Sequence, residues 1–157
     1  EKKLSVPFKK CSTKEYRLSG GEFKDEKEFQ LAARRLTQLG AENGIHAKVI
    51  NRWFYRYGKN TNKLIENVNS LRVAIADEEK LLAEAEIKYT IENEMVYHLN
   101  DFLIRRTGKI FFDRENAQKH LTLYNRALSE QLKTNTTLVG ETLKEAEAEF
   151  SKVIAFA

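Results

Sequence analysis

A 3.6-residue apolar period sustained over seven segments, a single proline in 157 residues and the lack of any strand-rich block predict an all-α fold. The expected architecture is a compact bundle of about six to seven helices, preceded by an irregular extended N-terminal arm. Length agrees with this, because 157 residues make about one domain, and such a domain buries roughly 70% of the surface its unfolded chain exposes. With 41% hydrophobic and 32% charged residues, the composition suits a packed helical protein and not a disordered one.

Residues 1–24 carry no helical period. Pro7, the Gly20-Gly21 pair and scattered apolar residues at Val6, Phe8, Tyr16 and Leu18 describe an extended lead-in with a turn at Ser19-Gly20-Gly21. The helical domain is expected over 25–157. Asp25, with Glu28 three residues on, forms a variant capping box; Phe29, Ala32, Ala33, Leu36 and Leu39 follow on one face, and Gly44 stands at the C-terminal cap. A second helix spans about His46 to Tyr57, with Val49, Trp53 and Tyr57 spaced by four, Ile50 and Phe54 beside them, and Gly58 as its stop. Asn60 or Thr61 opens a third, with Leu64, Ile65, Val68 and Leu71 inward. Short connections make these three a hairpin-like cluster.

The fourth helix covers roughly Asp77 to Val96, with Leu82, Ala85, Tyr89 and Val96 on one stripe and Leu81, Ile91 and Met95 beside it. Asn100 or Asp101 caps a short fifth helix to Thr107, closed by Gly108, and Ile110, Phe111 and Phe112 form an apolar plug. Asp113 caps a sixth helix through Ala117, Leu121, Tyr124 and Leu128; the last carries Val139, Leu143, Ala146, Phe150 and Val153 or Ile154.

Several function classes recede on composition. The net charge of +4 is spread along helices of mixed sign and does not require a polyanionic partner. Cys11 is alone, so no internal disulfide forms and a reducing cytoplasm is expected. No run approaches the ~18 apolar residues of a membrane-spanning helix, and no signal peptide opens the chain. Glu1 leads and Met95 is the only methionine, so the chain is expected to begin within a longer protein.

The densest segment is Lys88 to Asp113, KYTIENEMVYHLNDFLIRRTGKIFFD. It holds two carboxylates late in a helix (Glu92, Glu94), a cap residue (Asp101), paired arginines (Arg105, Arg106) and a Thr107-Gly108 stop. This segment resembles the C-terminal helical domain of FAD-dependent glycerol-3-phosphate oxidases and dehydrogenases, in which a Tyr and a Glu-rich helix ending in Glu-Met precede a Leu-x-Asp-Phe/Val-Leu-x-Arg-Arg-Thr run. The upstream KCSTKEYRLSGGE is similar to the family's lead-in, with its Leu-x-Gly-Gly turn.

That resemblance implies a full-length protein that oxidises glycerol 3-phosphate to dihydroxyacetone phosphate with FAD, passing electrons to oxygen or a quinone. It implies upstream flavin and substrate domains of the same chain as partners, with a homo-oligomer equally compatible. A dinucleotide cradle needs Gly-x-Gly-x-x-Gly between a strand and a helix, and glycines at 20, 21, 40, 44, 58, 108 and 140 never take that spacing. The fragment itself is therefore expected to bind no FAD and to hold no catalytic or metal-binding residue. Tyr89, Glu92, Glu94, Asp101, Arg105, Arg106 and Thr107 are expected in structural or domain-contact roles, with an arginine pairing to a carboxylate of this set and tying the fourth helix to the fifth.

Two other readings compete. Glu92, Glu94, His98 and Asp101 are metal-ligand types, but a di-metal carboxylate bundle needs Glu-x-x-His on two helices and none is present. The run NRWFYRYGK interleaves arginines and aromatics as single-strand nucleic-acid platforms do, so a stand-alone helical binding module is the alternative. Helical spacing already assigns Trp53 and Tyr57 to a buried stripe, which argues against nucleic acid.

Overall fold

The structure, a computed structural model, describes residues 12–133 and 136–154, with side chains described over 12–133 and 139–152. The expectations at Val6, Pro7, Phe8 and Cys11, and for the Val153 and Ile154 side chains, lie outside the described residues. The fold is all-α, and eight α-helices run in order among the described residues: α1 (Glu26–Glu42), α2 (Ala47–Tyr57), α3 (Thr61–Leu71), α4 (Glu78–Glu94), α5 (Lys109–Phe112), α6 (Arg114–Lys119), α7 (Leu121–Leu132) and α8 (Thr136–Ile154).

Caps set the boundaries. The Asp25 carboxylate accepts the Glu28 amide at 2.8 Å and the Asp77 carboxylate accepts that of Lys80 at 2.7 Å, each satisfying an orphan donor of a first turn. His46 caps α2 through Nδ1, which accepts the Lys48 amide at 3.1 Å. The fourth helix stops before Val96, because Met95 turns left-handed at φ 55°. That stop leaves Glu94 and His98 on no common helix face.

Helix α4 is the axis of the molecule. Its Leu81, Ala85 and Tyr89 are buried against Ile50, Trp53, Tyr57, Leu64, Ile65 and Val68 from α2 and α3. Its Ala83 and Ile87 are buried in a second cluster with Leu99, Phe102, Leu103, Ile110, Leu121, Tyr124, Leu128, Ala146 and Phe150. A helix apolar on more than one face is a buried helix. Helix α8 closes the second cluster, held to α7 by Asn125, whose amide donates to the Val139 carbonyl at 2.8 Å and whose Oδ1 accepts the Thr142 hydroxyl at 3.0 Å.

Residues 19–23 pack on the helical body. The Lys59 amide donates to the Gly20 carbonyl at 2.9 Å, and Asn60 reaches the Ser19 hydroxyl at 2.9 Å. Phe23 joins the rings of Phe29 and Phe54 at centroid separations of 5.1 and 6.0 Å. Gly20 and Gly58 meet face to face: a Cβ on Gly58 would stand 2.0 Å from the Gly20 oxygen, and one on Gly20 would stand 2.2 Å from that of Tyr57.

Three local expectations need correction. The short helix Asp101–Arg106 is π-helical, closed by the Thr107 amide and hydroxyl, which both donate to the Phe102 carbonyl at 3.0 and 2.5 Å. The sixth helix starts after Asp113 as expected but is broken into α6 and α7, because His120 leaves helical geometry at φ −103°, and the Lys109–Phe112 stretch before it forms the short helix α5; the helix count rises accordingly. The apolar plug is only Ile110, fully buried, whereas Phe111 and Phe112 are 55% and 88% exposed. Tyr16 and Leu18 are likewise exposed.

Candidate functional site

The most concentrated chemistry lies where α2, α4 and α5 meet. Glu86 of α4 is 2% exposed, and both of its oxygens are engaged. Oε1 accepts from Arg56 Nη1 at 2.8 Å and from the Tyr57 hydroxyl at 3.0 Å; Oε2 stands 3.2 Å from the Lys109 ammonium. Lys109 is itself 2% exposed, and its ammonium also faces the rings of Phe102 and Tyr124, 5.8 and 5.5 Å from their centroids. The second nitrogen of the Arg56 guanidinium donates to the Thr107 carbonyl at 2.7 Å, tying α2 to the end of the π-helical segment.

Local sequence explains the convergence. Ile50, Trp53, Phe54 and Tyr57 turn one face of α2 inward, so Arg52 and Arg56, one turn apart, share the flank that meets α4. Gly108 at φ 60° reverses the chain after Thr107 and starts α5, which directs Lys109 into the bundle.

Burial alone would push the Glu86 carboxyl up, but Lys109, Arg56, Arg52 and the Tyr57 hydroxyl outweigh it and hold the carboxyl below the ordinary carboxylate range. Burial and the Glu86 charge push the Tyr57 hydroxyl well above its usual value, so it stays a donor. Burial, with Glu86 next, raises Tyr124 as well.

Two openings that share Arg52, Lys109 and Asn116 border this cluster. A small cavity of about 110 Å³ is lined by Arg52, Leu82, Ala83, Glu86, Lys109 and Tyr124, with Glu79, Asn116 and His120 at its side. An open groove of about 700 Å³ is lined by Lys48, Arg52, Arg56, Lys109, Phe112 and Asp113. Asp113 accepts from Asn116 at 3.0 Å and more loosely from Arg52 at 3.4 Å. Glu79 is committed elsewhere, to His120 at 2.7 Å and Lys119 at 3.7 Å.

The residues singled out by sequence are spread around this site. Tyr89 is buried, its ring 4.9 Å from that of Tyr57. Thr107 lends its carbonyl to Arg56. Glu92 is exposed and Glu94 half-buried; burial raises the Glu94 carboxyl, with Arg106 acting against it. Asp101 is 9% exposed and accepts the amides of His98 and Tyr97 at 3.0 and 3.4 Å. Burial would raise the Asp101 carboxyl, but those two amides and Arg105 hold it low. Arg105 is exposed and pairs with Asp101 one turn away, so that contact fastens one segment to itself and does not tie the fourth helix to the next. Arg106 is exposed too.

Sequence reasoning missed Glu86 and Lys109. The available signal was Glu86 itself, a carboxylate set on the Leu82–Tyr89 stripe of α4, where an unpaired charge is not tolerated. Trp53 and Tyr57 are buried, leaving Tyr55 as the exposed aromatic of NRWFYRYGK and no stacking platform. Among the described residues no group of three His, Cys, Asp or Glu is disposed to hold a metal ion.

The described residues also do not fit a flavin dinucleotide. They contain no strand for a phosphate-cradling turn to follow, and Gly20 and Gly58 face each other while Gly44 and Gly108 serve helix ends.

The model of the C-terminal domain of alpha-glycerophosphate oxidase matches residues 11–138. The aerobic glycerol-3-phosphate dehydrogenase of Staphylococcus haemolyticus is 32% identical over 122 residues, 76% of this chain and 21% of that protein. Its counterpart in Staphylococcus epidermidis is 29% identical over 151 residues, 95% of this chain and 26% of that protein. Among solved structures, the glycerol-3-phosphate dehydrogenase from Bacillus halodurans complexed with FAD superimposes with a TM-score of 0.80 at 25% identity, over 90% of this chain and 29% of that one. The chain thus spans about a fifth to a quarter of the length of the curated relatives it matches.

Proposed function

The chain belongs to the family of C-terminal domains of alpha-glycerophosphate oxidase, and from that premise we propose that it serves as the C-terminal helical domain of an FAD-dependent glycerol-3-phosphate oxidase or dehydrogenase. The full protein oxidises the secondary alcohol of glycerol 3-phosphate to the ketone of dihydroxyacetone phosphate. Two electrons and two protons would leave the substrate; FAD held by the upstream flavin domain would supply the two-electron acceptor, with oxygen in an oxidase or a quinone in a dehydrogenase as the final acceptor. This domain supplies no flavin contact of the dinucleotide-cradle kind and acts as a buttress on the flavin and substrate domains of the same protein.

The observation that carries the reading is the agreement in fold over nearly the whole chain with a dehydrogenase solved with FAD. The residues of the specific motif divide accordingly. Tyr89, Asp101 and Thr107 hold the domain together from within, while Glu92, Glu94, Arg105 and Arg106 lie at or near the surface and form the contact with the flavin domain. We assign the parent protein to the cytoplasm and give it no nucleic-acid partner; no helix among the described residues is long and apolar enough to cross a membrane.

The test is to express the longest reading frame containing this chain. Its product should carry a flavin spectrum that bleaches when glycerol 3-phosphate is added without oxygen, and Arg105→Met with Arg106→Met should weaken that response while leaving the isolated domain folded. A 157-residue chain that purified with stoichiometric flavin, or a full-length product blind to glycerol 3-phosphate, would overturn the reading.

A further inference from the structure

The groove beside Glu86 carries more positive charge than the protein neutralises. Four cations (Lys48, Arg52, Arg56 and Lys109) line the groove and the cavity beside it, against three carboxylates, Glu79, Glu86 and Asp113, an excess of one positive charge. The imbalance reaches the interior. Glu86 is already engaged by Arg56, Tyr57 and Lys109, so the trio of buried Glu86, buried Lys109 and partly buried Arg56 carries one positive charge beyond its carboxylate.

Lys109 makes the point sharpest. An ammonium has three protons, and this one, on a side chain 3% exposed, meets a single carboxylate oxygen at 3.2 Å and two ring faces. It lines both the cavity and the groove. Arg52, with 41% of its side chain exposed, touches the same two openings, and its hold on Asp113 is long at 3.4 Å. Asn116 stands beside them with an amide.

We propose that this groove is a binding site for a phosphate-type oxyanion, free or as the head of a phosphomonoester, held by Arg52, Lys109 and Asn116 with Lys48 at the rim. Guanidinium and ammonium donors match an anion that presents several oxygens, and charge-assisted bonds of this kind are the strong ones. Val49 and the exposed ring of Phe112 border the same groove and offer an apolar wall to the organic part of an ester. The site stands on this geometry alone and is independent of the electron acceptor or flavin chemistry of a parent enzyme.

The experiment is a titration of the 157-residue chain with inorganic phosphate and, separately, methyl phosphate, each against chloride at equal ionic strength, followed by amide and side-chain NMR shifts. Saturable shifts should centre on Arg52, Thr107, Lys109 and Asn116. Arg52→Gln should weaken binding about tenfold or more, the loss expected for one charge-assisted bond. Asp113→Asn, which removes the competing carboxylate, should tighten it, and Lys63→Gln on α3 should change nothing. Tighter binding of methyl phosphate identifies an ester as the ligand; equal or weaker binding identifies the free ion. Shifts that follow chloride equally, that spread over the surface, or that persist in Arg52→Gln would overturn the site.

Discussion

Replacing Glu86 by Gln keeps the side chain's size and removes one charge at the centre of the bundle. Two cations then lose their counter-ion: Lys109, 2% exposed, and Arg56, whose side chain is 22% exposed. Removing one partner of a buried pair costs about 3–5 kcal/mol, because it strands a charge that water no longer reaches. A domain of this size has a total stability on the order of 5–15 kcal/mol, so the variant should lose a large share of it. With a urea dependence of roughly 2–3 kcal/mol/M, the unfolding midpoint should fall by about 1–2.5 M. Urea unfolding at neutral pH, read by far-ultraviolet circular dichroism and by the single buried Trp53, measures the shift. Lys109→Met leaves Glu86 its bonds to Arg56 and Tyr57, so that single change should cost less, about 1–3 kcal/mol. Made together, the two changes should cost clearly less than the sum of the singles, since each removes the charge the other strands. A loss below about 1 kcal/mol for Glu86→Gln, the range of a solvated pair, would refute the view that Glu86 is the interior counter-charge.

Acidification should act through the same residue. The Glu86 carboxyl is lower in the folded chain than its ordinary value of 4.5, so its contribution is complete above that value and is lost as pH falls beneath it; Glu86→Gln should flatten that limb of a stability-against-pH curve. Glu94 has the opposite sign, its carboxyl being raised, so Glu94→Gln at neutral pH should leave the thermal midpoint unchanged or higher. Gly58→Ala places a Cβ 2.0 Å from the Gly20 oxygen at φ 56° and should cost about 1–3 kcal/mol, with faster hydrogen exchange at the Lys59 amide. Asp101→Ala should cost about 0.5–2 kcal/mol through its lost amide caps, and Arg105→Met no more than about 1 kcal/mol; urea midpoints of the pair should rank in that order.

Much of the chain announces itself. Asp25, Asp77 and His46 start helices because a side-chain acceptor there meets an orphan amide, and such short-range chemistry is local by nature. Gly44, Gly58 and Gly108 sit at positive φ where turns were expected for the same reason. What stayed hidden depends on residues far apart. His120 reads as an ordinary helix position until its side chain finds Glu79, 41 residues away, with which the helix break coincides. The partnership of Glu86 with Arg56 and Lys109 spans 30 and 23 residues and leaves no periodic trace. The paired arginines drew notice because they are adjacent, yet adjacency on a helix points side chains apart, and both lie at the surface.

Helix α4, lined with apolar side chains toward both clusters, gives the molecule an indivisible character. Neither the stretch before it nor the stretch after it can close a core alone, since each lacks the wall that α4 supplies to both. A protease nick within α4 should therefore dissolve both clusters at once and leave no folded remnant. The same holds over evolutionary time: a gene acquiring this module must take it whole, and a crossover falling between residues 78 and 94 would deliver two sticky halves in place of a smaller domain.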